Sequence, residues 1–270
     1  MTIREITKSL VNKEYSSPDD IRTILHSMEK IMSIPNLILN DGIRLYRARL
    51  VDDNSRIKSS KDLSYVPQEY NKTYKRASTP NNTMFYGISG ESHSDMICGC
   101  LAETCECLRI PNSPNKHYNV VIGIWETTKD LTLPQILNID GNNRSTAFSN
   151  SRDYKEILES FKDVGCDLID FWRFMNHEFS KYILNGSKHE YWVSAVFSEW
   201  LTKYMGYDGI IYESVQSTDP KLKDNHCVAL LPKVADTSLK FCEALQIEFD
   251  FNGGEIILPK PKQFKMFIDS

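Results

Sequence analysis

The chain of 270 residues has room for one main domain with extensions rather than two full domains, and 41% apolar with 25% charged residues suits a globular fold with a sizeable core. Lys and Arg number 32 against 36 Asp and Glu, and the net charge of −4 argues against a surface built to hold a nucleic-acid backbone. The opening MTIREITKSLVNKEY lacks a continuous apolar core followed by a small-residue cleavage site, and no apolar run is long enough to span a bilayer. A cytoplasmic chain without membrane attachment is expected.

In chain order, Ser17-Pro18-Asp19-Asp20 reads as a helix start, with a capping hydroxyl, proline in the first turn and acids at the positive dipole end. Ile21, Ile24, Leu25, Met28, Ile31 and Met32 keep helical spacing until Pro35. IRLYRARL at 43–50 alternates like a strand, and the polar stretch 51–75 reads as a loop or flap. The turn Thr79-Pro80-Asn81-Asn82 leads into a short strand at Thr83 to Tyr86. Met96 to Leu108 suits a helix, and Val120 to Trp125 a buried strand. Leu168, Phe171, Trp172, Met175, Phe179, Tyr182 and Ile183 mark one helix face, stopped by Asn185-Gly186. Trp192, Ala195, Val196, Trp200, Leu201 and Tyr204 mark a second helix that ends at Gly206. Strands are predicted at Gly209 to Glu213 and Cys227 to Leu231, and a hairpin at Ile247 to Leu258 turning at Asn252-Gly253-Gly254. Strands and helices do not alternate regularly, so the class is α+β. The expected organisation is a helical lead-in over 1–40, a main domain over 41–233 with a helical insertion at about 130–190, and a C-terminal hairpin extension over 234–270.

The seven cysteines (98, 100, 105, 107, 166, 227 and 242) are odd in number, which does not suggest a disulfide framework in a reducing compartment. The C-x-C pairs at 98–107 lack the usual zinc spacing and a His-x₃₋₅-His partner, so buried thiols are expected and no metal. Motifs for dinucleotide folds, P-loops, zinc proteases and α/β-hydrolases are absent. What remains is a set of polar residues at strand edges. Arg47 and Arg49 share a strand face, Arg76 opens a turn-rich loop, and Glu103 sits in the apolar CLAETCECL. Ser214 ends GIIYES, and Asn225 precedes HCVALL. Each also has a bland reading: a salt bridge for Arg47, a solvated helix face for Glu103 or Glu106, core aromatics for Tyr86 and Tyr191.

Several of these segments together resemble the RES-domain family, the toxins of bacterial toxin–antitoxin pairs. The likeness runs through Tyr46-Arg47-Ala48-Arg49, Arg76 to Asn82 with Phe85-Tyr86, Ala102-Glu103, Tyr191-Trp192-Val193-Ser194, Gly206 to Ser214, and Asn225. The chain departs from the family pattern at Asn81 or Asn82, where a loop glycine is usual, at Ala195 in place of glutamine, and at Ala48, where some members carry an aromatic. Its middle and its tail are longer than a minimal RES domain needs. The resemblance implies an ADP-ribosyltransferase-like core of two small β-sheets forming a cleft, flanked by helices. It also implies cleavage of the nicotinamide–ribose bond of NAD⁺ by phosphorolysis or hydrolysis. Glu103, Arg47 and Arg76 would be catalytic; Tyr46, Tyr86, Tyr191, Ser194, Ser214 and Asn225 would bind substrate. NAD⁺ is then the substrate, with phosphate as one acceptor, no cofactor beyond it, and an antitoxin with a helix-turn-helix domain as partner. Protein ADP-ribosylation in the same cleft and a catalytically inactive interaction module are the alternatives.

Overall fold

The computed structural model of the chain describes residues 1–28, 34–51, 57–90, 92–105, 116–139, 159, 165–181, 183, 188–214, 225–251 and 259–264. Its strands are β1 (Asn36–Leu39), β2 (Arg44–Leu50), β3 (Phe85–Ser89), β4 (Lys116–Thr127), β5 (Leu131–Pro134), β6 (Gly209–Glu213), β7 (His226–Leu230), β8 (Leu239–Phe251) and β9 (Lys262–Gln263). β1 and β5 form a two-stranded sheet, and the other seven form a sheet in the order β6-β7-β3-β2-β4-β8-β9. Every ladder between these strands is antiparallel. The chain is α+β, with two sheets of very unequal size.

Helices cover one face of the large sheet. They are α1 (Ile3–Val11), α2 (Pro18–His26), α3 (His93–Thr104), α4 (Cys166–Ser180) and α5 (Trp192–Lys203). Reciprocal capping fixes the first two starts: Thr2 with Glu5, and Ser17 with Asp20. Ile6, Leu10, Ile21 and Leu25 then point inward with Phe171, Trp172, Phe197 and Trp200, against Tyr46, Ile88, Ile122 and Ile210 of the sheet. Burying side chains of this size contributes about 1.5–3 kcal/mol each. The opposite face, carrying Leu45, Phe85, Trp125, Val228 and Leu230, is closed by Leu131 and Leu133 of the small sheet and by Val234 and Ala235 of the short helix α6 (Pro232–Ser238).

Two irregularities shape the large sheet. β2 matches β4 over seven residue pairs and β3 matches β7 over five, but β2 and β3 share only the pair Tyr46–Ile88. The sheet therefore joins two halves, β6-β7-β3 and β2-β4-β8-β9, at a single point and opens beyond it. The second irregularity is a register shift opposite Ile124 and Trp125, where Cys242 of β8 has no partner residue. An extra residue switches the faces of a strand. Phe241 thus packs on the small-sheet side, whereas Leu245, Ile247, Phe249 and Phe251 pack under the helices.

Several elements differ from the sequence reading. α1, β1, β5 and α6 are additional, and 57–75 contains two 3₁₀ turns, Ser60–Leu63 and Gln68–Tyr70. The strand expected at Thr83 begins at Phe85, because Thr83 bonds instead to Gln68 and the Val66 carbonyl. The helix expected from Met96 starts at His93, where the Ser92 hydroxyl accepts from Asp95 N. The C-terminal strand begins eight residues before Ile247 and pairs with β4 along its whole length. Ile31, Met32, Leu108, Tyr182, Asn185-Gly186 and the turn at Asn252 to Leu258 lie outside the described residues.

Candidate functional site

Where β2 and β3 part, a cavity of about 300 Å³ opens toward the helical side. Six residues singled out in the sequence line it: Tyr46, Arg47, Arg76, Tyr86, Glu103 and Tyr191. The strands bring Tyr46, Arg47 and Tyr86, the last turn of α3 brings Glu103, the loop before β3 brings Arg76, and the residue ahead of α5 is Tyr191.

Arg47 belongs by alternation to the face opposite the helices, and Arg49 with it; both donate to the Ser64 carbonyl, from Nε at 2.9 Å and Nη2 at 3.2 Å. Arg47 still reaches the cavity because the strands have separated. Its Nη1 donates to the Tyr86 carbonyl across the gap at 2.8 Å, and its guanidinium lies 5.5 Å over the Phe85 ring. Burial, reinforced by the like charge of Arg49, lowers the Arg47 pKa to about 10, so it stays protonated at neutral pH. Arg76 donates to the carbonyls of Phe179 and Lys181 at the C-terminal end of α4, the second at 2.9 Å, and sits 5.6 Å from the Tyr191 ring centre. Those carbonyls carry the negative end of the helix dipole, so the contact also anchors the helix. Among the described residues no carboxylate lies within ion-pair distance of either arginine, and the salt-bridge reading of Arg47 does not apply there.

Glu103 is the carboxylate of the cavity. Its Oε1 accepts from Ser214 Oγ at 2.7 Å and faces Cys227 Sγ at 3.7 Å, and no described cation pairs with it. Asn225 holds the other end of the same helix, donating from Nδ2 to the Asp95 carbonyl at 2.7 Å. The approach is close enough that a Cβ on Gly99 would come within 2.5 Å of that nitrogen. Ser214 and Asn225, themselves joined by a backbone bond of 3.2 Å, clamp α3 at its two ends. Neither lines the cavity.

The aromatics divide. Tyr46 is 1% exposed with its hydroxyl 2.6 Å from His93 Nδ1, a core tyrosine that also lines the cavity. The Tyr86 hydroxyl accepts from Ala77 N and meets Ser78 Oγ at 2.7 Å; burial pushes its pKa up to about 12. Ser194 is 0% exposed inside α5, bonds the Tyr191 carbonyl at 3.3 Å, and does not reach the cavity.

No protein-family model matches the chain, and no curated protein matches it either. The geometry therefore carries the functional reading. It adds Lys75, Tyr212, Cys100 and Cys227 to the cavity wall, none of which the sequence reading chose. Tyr212 has a visible signal, since it lies two residues before Ser214 on the same strand face. Burial, with the Glu103 charge next for both thiols, pushes Cys100 and Cys227 well up, so they stay protonated and are poor nucleophiles at neutral pH. Among the described residues no three His, Cys, Asp or Glu side chains converge as a metal set; Cys107 and Glu106 lie outside those residues. Among them, too, no helix is long and apolar enough to cross a membrane.

Proposed function

We propose that the chain is an NAD⁺-consuming enzyme of the RES-domain kind, which breaks the bond between nicotinamide and ribose. One observation carries this reading: a single cavity presents two arginines and a carboxylate, and among the described residues neither arginine has a carboxylate partner and the carboxylate has no cation. Opposite charges that share a cavity without neutralising each other suit a ligand bearing both signs. NAD⁺ is one, with a cationic pyridinium at one end and an anionic diphosphate in its middle.

In this reading the arginine forks hold the diphosphate, and the Tyr191 ring beside Arg76 gives an apolar face for a flat group. As the glycosidic bond breaks, its electron pair stays on the nicotinamide nitrogen and positive charge grows on the ribose. Glu103 stabilises that charge, with Ser214 fixing the carboxylate. An acceptor oxygen, from water or phosphate, then bonds to the ribose carbon and gives up a proton. The opening between the two halves of the large sheet supports an ADP-ribosyltransferase-like cleft. The same reading makes the protein a cytoplasmic toxin with a helix-turn-helix antitoxin as its partner.

Glu103→Gln tests it. The amide keeps the shape and the Ser214 bond but removes the charge that counts only in the transition state. Nicotinamide release is expected to fall about a hundredfold or more, with NAD⁺ affinity within a few-fold of the parent. Unchanged turnover would remove Glu103 from the chemistry.

A further inference from the structure

We propose that Tyr212 is a specificity-determining residue whose hydroxyl reads a sugar hydroxyl beside Glu103, so that the cavity prefers glycosides of ribose to those of a deoxy sugar. The inference deepens the proposed function and rests on it, because that sugar is the ribose whose bond to nicotinamide breaks.

Sheet register puts Tyr212 beside the carboxylate. It pairs with Cys227 of β7 and lies two residues before Ser214, about 7 Å along the same strand face. Glu103 sits over that face, its Oε1 accepting from Ser214 Oγ at 2.7 Å and lying 3.7 Å from Cys227 Sγ. Tyr212, Glu103 and Cys227 all line the cavity. The Tyr212 ring is held from behind by Phe179, with ring centroids 5.2 Å apart.

The hydroxyl sets this tyrosine apart from its neighbours. That of Tyr46 meets His93, and that of Tyr86 meets Ala77 N and Ser78 Oγ. Tyr212 is only 4% exposed, yet among the described residues its hydroxyl has no hydrogen-bond partner. Buried phenols are rarely left so, because the unmade bond costs stability. A ligand oxygen in the cavity would make that bond. Burial also raises the phenol well above its usual value, so it is neutral and keeps its proton to donate.

The two polar groups differ in kind. The Glu103 carboxylate only accepts, and its Oε2 has no partner among the described residues. The Tyr212 phenol donates. A hydroxyl serves both with one oxygen, giving its proton to Glu103 and accepting from Tyr212. A phosphate is disfavoured there by the carboxylate charge, which leaves the sugar as the part of the dinucleotide that fits.

Tyr212→Phe tests the contact, since it removes the oxygen alone and keeps the ring against Phe179. The thermal midpoint is expected to stay at the parent value or rise; a fall of several degrees would give the hydroxyl a structural bond and overturn the proposal. Nicotinamide release is measured with parent and variant on NAD⁺ and on its analogues lacking the 2′- or the 3′-hydroxyl of the nicotinamide ribose. The variant is expected to lose about tenfold or more in kcat/KM on NAD⁺, but less than about twofold on the analogue without the contacted hydroxyl. An equal loss on all three substrates, or no loss on NAD⁺, overturns the contact, while release by the parent leaves the proposed function standing. Calorimetry with ADP-ribose and with ADP reads the contact with no bond broken, and decides it if the parent cleaves no dinucleotide. ADP-ribose held about tenfold more weakly by the variant, with ADP unchanged, then keeps the sugar contact and overturns the proposed function. In such a protein, binding of neither ligand, or equal binding by parent and variant, overturns both.

Discussion

Arg76→Lys separates anchoring from ligand binding, because Arg76 holds the end of α4 and is proposed to hold the diphosphate as well. The substitution keeps the charge but loses the fork, and one ammonium cannot bridge the Phe179 and Lys181 carbonyls as two guanidinium nitrogens do. Losing one charge-assisted hydrogen bond costs about 1.5–3 kcal/mol. At about 2–4 °C per kcal/mol, the thermal midpoint should fall by about 3–12 °C. If Arg76 also holds the diphosphate, NAD⁺ binds about tenfold more weakly. Ligand at about one hundred times the parent Kd stabilises the parent by about 2.7 kcal/mol and the variant by about 1.4 kcal/mol. Thermal melting with and without NAD⁺, in a Glu103→Gln background so that ligand is not consumed, reads both quantities. The midpoint should drop, and its rise with NAD⁺ should be roughly halved. A lower midpoint with an undiminished rise would make Arg76 a helix anchor alone and refute its place in the site.

Ser214→Ala should lower kcat about tenfold while leaving the KM for NAD⁺ near the parent value, since it frees the Glu103 carboxylate from its 2.7 Å donor without touching the cavity; an unchanged kcat would make the bond purely structural. Tyr86 gives a pH dependence. Its folded pKa, about 12 from a usual value of 10, means the unfolded chain loses the proton first. The stabilisation is full below the unfolded value, about pH 10, and is lost as pH rises toward about 12, about 2–3 kcal/mol in all. Denaturant unfolding of the parent should weaken over that interval more steeply than that of Tyr86→Phe, and equal slopes would contradict the burial assigned to it.

What the sequence made legible was local. The Ser17 cap, the alternation of IRLYRARL, and the apolar faces of α4 and α5 each follow from neighbouring residues, and each element is present. β1 and β5 escaped because NLIL and LTLP are four-residue runs whose partners lie about a hundred residues away. The early part of β8 escaped for another reason. Apolar residues hold odd positions at Leu239 and Phe241 and again from Leu245, but the unpaired Cys242 moves the two sets to opposite faces. In the candidate site, strand spacing alone put Arg47 and Arg49 on one face. It could not show that β2 and β3 part after one pair, which is what admits Arg47 to the cavity. Nor could it show that Ser214 meets Glu103 across 111 positions of chain, or that Asn225 clamps α3 instead of lining the cavity. Such contacts depend on sheet order, which no local pattern encodes.

Breakage of the nicotinamide–ribose bond by this cavity alone, as proposed, is open to direct measurement. Purified protein incubated with NAD⁺, with no protein target and with chromatographic identification of products, is the test. Many nicotinamide molecules released per chain are expected, accompanied by ADP-ribose or its phosphorylated form in equal amount. NAD⁺ recovered intact with and without phosphate, from protein that melts cooperatively, would contradict it.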